Sequence, residues 1–600
     1  MKRLPARHEI PAESKWLLTD IYENDALWEN DFRKLKDLLA EMKKIEPVFL
    51  NSAADLLAGL QLKDRIGRLV DKLFVYARMR QDENNADPVY QALTGRIQSL
   101  SVEAGAVLSF MAPALVTVPT ERLQAYLEQM PELQLYRHFF DEIQRQREHV
   151  LSAAEEKILA DAGEVAEAAA AIFNMLDNAD FKFPSIIDEN GEEVELTKGR
   201  YGSFLESPDR RVRQDAFKAL YSVYGKFRNT LGATLNASIR SDVFYAKTRH
   251  FNSAREASLN GDNIPVSVYD NLIETVHDYL PVLERYLNLR KKVLNLPELH
   301  LYDLYTPLVP EYQRSFSYSE AKDIVLSGLR PLGNEYVNLV RKGFEEGWID
   351  VYESEGKTSG AYAWGAYDTH PYVLLNYQGK IRDVFTIAHE MGHALHSYYS
   401  NLRQPYVYSA YKIFVAEVAS TVNENLLMEY LLANSNDVRE KQYLINHYLE
   451  EFRGTVFRQT MFAEFEKITH AEIENGGALT ADWLSKKYLE LNQRYYGASA
   501  VIDPEIAMEW SRIPHFYTAF YVYKYATGHS AAVALAQQIM KSQGAPEKYL
   551  EFLGSGDSDY PLALLKKAGV NMESAAPVRD ALGVFARLVD ELGDLFGVQI

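Results

Sequence analysis

Residues 389 to 393 read His-Glu-Met-Gly-His, inside a mostly apolar stretch from about Asp383 to Tyr399 that is poor in glycine and proline. This pattern predicts a buried helix. On it His389 and His393 lie one turn apart on the same face, and polar groups in a core cost several kcal/mol unless they have partners. The two imidazoles can bind one zinc ion, with Glu390 directed toward water. The alternative is a helix edge whose histidines face solvent or the backbone.

A zinc ion that activates water takes three protein ligands and keeps one position open, so the motif needs a third ligand. His396 lies at nearly the same azimuth but almost two turns from His389, which limits its reach. The next predicted helix, Phe414 to about Leu432, carries Glu417 and Glu424 on an apolar face, where a carboxylate needs a cationic partner. We assign Glu417 as the third ligand and expect Glu424 to orient a ligating imidazole. A salt bridge is the alternative for either carboxylate.

Four segments together resemble one known family. They are Ala388 to His396, Phe414 to Asn425, the amino-terminal Trp16 to Tyr22, and Tyr367 to Tyr372. The chain closely resembles the oligoendopeptidase F branch of the thimet-oligopeptidase family of zinc peptidases, over essentially its whole length. The resemblance implies that His389, His393 and Glu417 bind one zinc ion per chain and that Glu390 is the general base.

The resemblance also implies a fold and a substrate class. We expect a mainly α protein, a large helical ellipsoid around a zincin-like His-Glu-x-x-His core, with the zinc at the floor of a deep channel. Short, unstructured oligopeptides are then the expected substrates, cleaved internally. In that chemistry zinc lowers the pKa of its bound water to roughly 7, and Glu390 can take a proton from it and pass it to the leaving amine.

A late segment, residues 514–525, supplies candidates that could stabilise the tetrahedral oxyanion. It contains His515 and several tyrosines, and imidazole and phenol groups are suitable oxyanion donors. The family uses a histidine and tyrosines from the corresponding segment, although the tyrosine spacing here departs from the thimet-type pattern. We rank Tyr521 first and Tyr517 second, one turn earlier on the same face. For each tyrosine an ordinary packing role is the alternative.

Three short runs before the zinc helix predict a small β-sheet beside it: Ile349 to Tyr352, Ala361 to Trp364 and Pro371 to Tyr377. An exposed sheet edge can hold an extended peptide through main-chain hydrogen bonds. Gly360 would permit close approach of a substrate backbone. His370 is a candidate for substrate contact or for a structural role in a turn.

The predicted helical pattern of the amino-terminal part of the chain is interrupted at about residue 183. We expect an amino-terminal helical domain over residues 1–182, a hairpin or linker over 183–206 with a type I′ turn near Asn190-Gly191, and a catalytic domain over 207–600. A helix should open at Ser207-Pro208, with Ser207 as its cap. No repeat or long linker is apparent in the sequence.

Composition narrows the partners and the compartment. The 600 residues carry a formal net charge of −20 and no cysteine, which disfavours nucleic acid and anionic membranes as partners and excludes disulfides. The start of the chain leads into no apolar run of signal-peptide length, and we expect no apolar segment of 18 residues elsewhere in the chain. We therefore expect a cytoplasmic enzyme with no membrane partner, and the sequence does not indicate an oligomeric state.

Two other functions compete with a zinc endopeptidase. A zinc exopeptidase shares the same core but requires a device that captures a substrate terminus, and the sequence shows no motif for one. A catalytically inactive peptide-binding scaffold would need no Glu390, because zinc binding itself does not require it.

Overall fold

The computed structural model describes residues 3–309 and 314–599. The prediction of a mainly helical protein with a small sheet is confirmed. The α-helices of the first 300 residues are α1 Asp25–Ile45, α2 Ala53–Glu83, α3 Pro88–Leu108, α4 Met111–Val116, α5 Thr120–Gln129, α6 Arg137–Arg145, α7 Ala153–Ala166, α8 Ala168–Met175, α9 Lys198–Glu206, α10 Arg210–Lys226, α11 Arg228–Thr248, α12 Ala254–Asn260, α13 Val266–Asp278 and α14 Leu280–Val293.

The α-helices of the second half are α15 Tyr318–Gly328, α16 Asn334–Glu345, α17 Ile381–Arg403, α18 Ile413–Asn434, α19 Val438–Phe452, α20 Arg458–Glu474, α21 Ala481–Tyr496, α22 Tyr523–Lys541, α23 Ala545–Leu553, α24 Pro561–Lys567 and α25 Ala576–Phe596. The strands are β1 Ser185–Ile187, β2 Glu193–Glu195, β3 Ile349–Asp350, β4 Tyr362–Trp364 and β5 Tyr372–Leu374.

The chain divides into two compact units, each assembled from separate stretches of sequence. The first comprises Met1–Val150, Gln313–Tyr430 and Leu535–Gly569, and the second comprises Leu151–Tyr312, Leu431–Ala534 and Val570–Ile600. The predicted domains are consecutive segments of the chain, with boundaries at residues 182 and 207. That division stays a prediction.

The core of the first unit joins the amino-terminal helices to the small sheet. Apolar faces of α1, α2 and α3 are buried together, and Tyr372 and Leu374 of β5 belong to the same hydrophobic cluster. Trp16, from the amino-terminal segment, packs edge-on against Tyr372, with ring centroids 6.2 Å apart. Residues far apart in sequence therefore support the sheet that lies beside α17, the helix that carries His389 and His393.

The sheet has the strand order β3-β5-β4, so β4 is an edge strand. Strands β3 and β5 run parallel, with Ile349 opposite Val373, whereas β4 and β5 run antiparallel, with Ala363 opposite Val373. Helix α17 packs against β4 and β5. The predicted position of the sheet beside the histidine-bearing helix is thus confirmed.

The hairpin of the second unit forms as predicted, but with a different turn. Strands β1 and β2 pair antiparallel. The amide of Gly191 donates to the carbonyl of Asp188 and Gly191 has φ +84°, whereas Asn190 has no positive φ. A type I′ turn requires positive φ at both central residues, so that prediction was wrong. The geometry is that of a type I turn followed by a left-handed glycine.

A second local prediction was also wrong. Helix α10 begins at Arg210, and its cap is Asp209, whose carboxylate accepts from the amide of Arg211. The hydroxyl of Ser207 instead accepts from the amide of Asp209 and contacts Glu189. Both serine and aspartate are good cap residues, and the sequence alone did not distinguish them.

One helical stretch, Pro88–Val116, is long and apolar enough to cross a membrane by length and composition alone. The expectation that no such stretch exists was therefore wrong by this criterion. A single stretch of this kind is weak evidence for a span, because core helices meet the same test. Ile97, Leu100 and Ala104 of this stretch are buried in the core of the first unit.

Candidate metal centre

Three of the predicted site residues converge where α17 and α18 pack against each other. Potential ligand atoms of His389, His393 and Glu417 all lie within 4.8 Å of one another. Glu417 Oε2 is 3.3 Å from His393 Nε2 and 3.5 Å from His389 Nε2. The two imidazole rings lie at 79° to each other with centroids 4.9 Å apart, so their nitrogens approach one point from different directions.

These separations fit a shared metal ion better than direct hydrogen bonds. Ordinary N–H···O hydrogen bonds span about 2.7–3.2 Å, and both distances to Glu417 are longer. Two ligand atoms that each lie about 2.0–2.1 Å from one ion, at a tetrahedral angle, are roughly 3.4 Å apart. Two imidazoles and one carboxylate are also a donor set that zinc uses in catalytic sites. The residues present therefore fit a zinc ion.

Two neighbours orient these candidate ligands. Glu424 Oε1 lies 3.2 Å from His389 Nδ1, which leaves Nε2 of that imidazole for the common point. A carboxylate behind a ligating histidine fixes its tautomer and orientation. On the other side, the hydroxyl of Ser420 donates to Glu417 Oε2 at 3.1 Å.

The electrostatic field of the cluster favours a cation. Burial alone would lower the pKa of His389, but Glu424, Glu390 and Glu417 outweigh it and raise the pKa to about 9. The contact with His393 lowers the pKa of Glu417 to about 2. Burial raises the pKa of Glu390, which is 7% exposed. Three carboxylates around two imidazoles thus form an acidic cluster that a divalent ion can neutralise.

His396 occupies a separate environment. It is 1% exposed and stacks on Tyr411 with ring centroids 3.7 Å apart. Burial lowers its pKa to about 3. It is absent from the His389, His393 and Glu417 group, which agrees with the preference for Glu417 as the third ligand.

Another group of potential ligands among the described residues consists of His138, Glu142 and Asp557. The ammonium group of Lys412 lies 2.9 Å from Glu142 and 3.0 Å from Asp557. A lysine already supplies the positive charge there, so this group does not resemble a metal centre.

The late segment lies in the second unit and contains two distinct environments. His515 and Tyr521 stack with centroids 6.1 Å apart, and Tyr525 lies edge-on to both. Tyr517 instead stacks on Phe173 at 4.4 Å, and its hydroxyl lies 2.8 Å from that of Thr234.

The expectation that Tyr517 and Tyr521 share one helix face was wrong. A short 3₁₀ turn, Pro514–Tyr517, precedes a break, and α22 begins only at Tyr523. Phe520, within the break, has φ +57°, a left-handed conformation that non-glycine residues rarely adopt. The chain therefore changes direction between the two tyrosines.

Comparison with known proteins identifies the family of this chain. Residues 203–584 match the profile described as Peptidase family M3, and residues 115–183 match that described as Oligopeptidase F. The chain belongs to peptidase family M3. It is a metallo-endopeptidase of the oligoendopeptidase F kind, as the sequence motifs predicted.

Individual relatives agree over the full length of this M3 peptidase. It is 46% identical over 595 residues to Oligopeptidase PepF of Bacillus subtilis strain 168. The alignment covers 99% of this chain and 89% of the relative. It is 42% identical over 591 residues to an Oligoendopeptidase F homolog of Lactococcus lactis, covering 98% of both chains. The crystal structure of oligoendopeptidase-F from Enterococcus faecium, 41% identical, superimposes with a TM-score of 0.74 and covers 96% of this chain and 99% of its own.

Sequence reasoning missed a residue that lets the two site helices of this M3 peptidase meet. A Cβ atom at Gly392, inside the histidine motif, would lie 2.6 Å from Ser420 Cα and 2.7 Å from the carbonyl oxygen of Ala419. Only glycine permits such close approach of the α18 backbone. The motif itself was the signal, since it places Gly392 directly before His393.

Two hydrogen bonds through one buried asparagine, which the sequence analysis also did not predict, hold the same helices together. Asn423 is fully buried, and its amide donates to the carbonyl of Ala388 at 2.9 Å. The hydroxyl of Tyr336, on α16, donates to Asn423 at 3.0 Å. Three helices are therefore held in register immediately beside the candidate ligands.

The chain is open just before the edge strand β4, where the sequence predicted close approach of a peptide backbone. Gly360, just before it, has φ +85°, and a Cβ there would meet no atom within 4 Å. His370 is packed: it stacks on Trp348 at 5.1 Å, and its Nε2 lies 3.2 Å from Asp20. These contacts favour the structural alternative for His370.

Proposed function

We propose that this M3 peptidase is a zinc-dependent oligoendopeptidase in which His389, His393 and Glu417 hold one zinc ion per chain. The observation that carries the proposal is the convergence of these three side chains within 4.8 Å. A zinc ion bound there would act as a Lewis acid that polarises a substrate carbonyl and makes water a stronger nucleophile near neutral pH.

Glu390 is the proposed general base. It follows a ligand directly in sequence, and its largely buried carboxylate has a raised pKa, which suits a group that must both accept and return a proton. Glu390 takes a proton from the attacking water and then delivers it to the leaving amine. Glu424 keeps the imidazole of His389 in the tautomer that presents Nε2.

We keep His515 and Tyr521 as the proposed oxyanion donors, a role that comes from the family resemblance. Their side chains stack together, and burial lowers the pKa of His515, which favours the neutral imidazole. Tyr517 is a weaker candidate, because its hydroxyl is already paired with Thr234. Loss of a true oxyanion donor typically costs about 100- to 1000-fold in rate.

The proposed substrates are short, unstructured peptides, bound along the β4 edge in extended form. A strand edge reads the peptide backbone, so many sequences can be accepted. The proposed compartment is the cytoplasm, with neither nucleic acid nor membrane as a partner.

Metal content and general-base chemistry can be tested on one pair of variants. Elemental analysis of the purified enzyme should give one zinc per chain, and Glu390→Gln should keep that zinc while hydrolysis of a quenched-fluorescent peptide is nearly abolished. Glu345→Gln makes the same chemical change at an exposed position of α16 and should be fully active. Full activity of Glu390→Gln would remove the proposed base.

A blocked peptide separates internal cleavage from exopeptidase action. A peptide with acetylated and amidated ends should be cut at the same bonds as its free form, whereas an exopeptidase would spare it. An intact folded protein, incubated in parallel, should remain uncut if the substrates must be short and unstructured.

A further inference from the structure

A small pocket inside the second unit is lined by three arginines and a single glutamate. The guanidinium groups are those of Arg453, Arg458 and Arg512, and the carboxylate is Glu509. Aromatic residues, including Tyr305, complete the lining. We call it the arginine pocket.

Glu509 offsets only one of the three guanidinium charges in this pocket, and its carboxylate has no acceptor site left for a further donor. It accepts from Arg458 at 2.8 and 3.2 Å and from Arg512 at 2.7 Å. It also accepts from the hydroxyls of Tyr488 at 2.7 Å and Tyr221 at 3.2 Å. Five donors meet one carboxylate that offers about four lone-pair sites.

The third arginine of the pocket, Arg453, also shares its carboxylate partner with another guanidinium group. Arg453 donates to Glu450 at 2.6 and 3.0 Å, but Glu450 also accepts from the buried Arg290 at 3.1 Å. Four guanidinium groups therefore share two carboxylates. An uncompensated positive charge that is largely removed from water is costly, so this region has a surplus of charge that an anion would neutralise.

Free donor atoms remain at the pocket. Among the described residues, Arg453 Nη1, Arg458 Nε and Arg512 Nη1 have no hydrogen-bond acceptor, yet none of them is sealed from solvent. Burial would raise the pKa of Tyr305, but the charges of Arg458 and Arg453 outweigh it and lower that pKa. The hydroxyl at the pocket thus experiences a net positive field.

The helical backbone between Arg453 and Arg458 departs from α-helical geometry, and this departure brings the two side chains toward the same side. A π-helical turn, Arg453–Phe457, separates α19 from α20. In an α-helix five residues sweep about 500°, leaving Arg453 and Arg458 roughly 140° apart. A π turn bonds each residue to the fifth one along, which brings such a pair closer to the same side, and π turns are frequent at functional sites.

We propose that the arginine pocket binds one small monovalent anion of the carboxylate or halide class. Two sources offer this chemistry: a dissolved anion, or a carboxylate of the peptide substrate. Arg512 precedes His515 by only three residues, so the second source rests on the proposed role of His515, whereas anion binding itself does not.

Bromide is the probe for the site. Crystals of the wild-type enzyme soaked in sodium bromide should show an anomalous peak in contact with Arg458 and Arg512. In solution, bromide or acetate added to an enzyme kept in a bulky sulfonate buffer should raise Tm saturably, on the order of 1–2 °C. Arg512→Gln should lose this response, while Arg228→Gln, which removes an exposed arginine paired with Asp482, should keep it.

A matched pair of peptides, one with Glu and one with Gln at a single position, distinguishes the sources. If the substrate supplies the carboxylate, KM is several-fold lower for the Glu peptide, bromide competes with it, and Arg512→Gln removes the preference. If a dissolved anion is bound, both peptides respond to bromide alike. The proposal is overturned if no bromide peak appears, Tm does not respond saturably and the two peptides have equal KM; loss of hydrolysis in Glu390→Gln is independent of all three results.

Discussion

The α17–α18 pair and the late segment, residues 514–525, both carry residues proposed to act on substrate, but they are built differently. In the helix pair, regular backbone sets the positions of His389, His393 and Glu417, and a glycine brings the helices together. In the late segment a 3₁₀ turn, a left-handed Phe520 and a new helix follow within ten residues. Its geometry depends on partners that lie far away in sequence.

The partners of the late segment show this dependence directly. The amide of Phe520 donates to Glu466 on α20 at 2.8 Å, and the carbonyl of Ala519 accepts from Ser258 at 3.0 Å. The ring of Phe520 packs on His470 with centroids 4.5 Å apart. A regular helix places its side chains by periodicity alone, whereas this segment needs tertiary contacts to hold an unfavourable φ.

The largest expected effect tests whether the two carboxylates of the helix pair have different roles. Glu417→Gln should lose the metal and reduce hydrolysis to background, because an amide is a poor substitute for a charged ligand. Glu424→Gln should keep the metal but weaken its affinity or the activity about 10- to 100-fold. Zinc affinity from chelator competition and kcat/KM, measured on both variants, provide the check. Equal losses in the two variants would contradict the assignment.

The second prediction concerns the two environments of the late segment. Tyr521→Phe should lower kcat about 100- to 1000-fold with little change in stability, if its hydroxyl stabilises the oxyanion. Tyr517→Phe removes only the hydrogen bond to Thr234 and should cost about 1 kcal/mol of stability with kcat nearly unchanged. Steady-state kinetics and thermal unfolding distinguish them, and a reversed pattern would exchange the roles of the two tyrosines.

Much of the helix pair could be predicted from its sequence, since the period and the polar residues coincide. The expected helices, Asp383 to Tyr399 and Phe414 to about Leu432, match α17 and α18 to within a few residues at each end. The three strands were also predicted near their positions. The close approach at Gly392 could not be predicted, because it depends on which backbone lies opposite. The break at Phe520 could not be predicted either, because nothing in the neighbouring sequence indicates its contact with Glu466.

The close approach itself can be tested with a single methyl group. Gly392→Ala places a Cβ against the backbone of Ser420, so the helices must move apart, at a cost of about 1–3 kcal/mol. Zinc affinity should fall with stability, since Glu417 lies on the displaced helix. Gly95→Ala, in a helix where a Cβ meets nothing within 4 Å, should instead stabilise by about 0.5–1 kcal/mol. Unchanged zinc affinity in Gly392→Ala would separate the packing from the metal site.

The smallest effect concerns how Glu466 holds the late segment. Burial raises its pKa well above the usual value, so the folded state keeps a proton that the unfolded chain releases above about pH 4.3. The stability contributed by this group is therefore present at low pH and lost as pH rises toward the folded pKa. Glu466→Gln keeps an acceptor for the amide of Phe520 without that loss, so its Tm should exceed that of the wild type by a margin that grows from pH 5 to pH 8. A margin that stays constant would mean that the carboxyl is ionised in the folded protein, and the turn before Tyr521 would then be anchored by a charge.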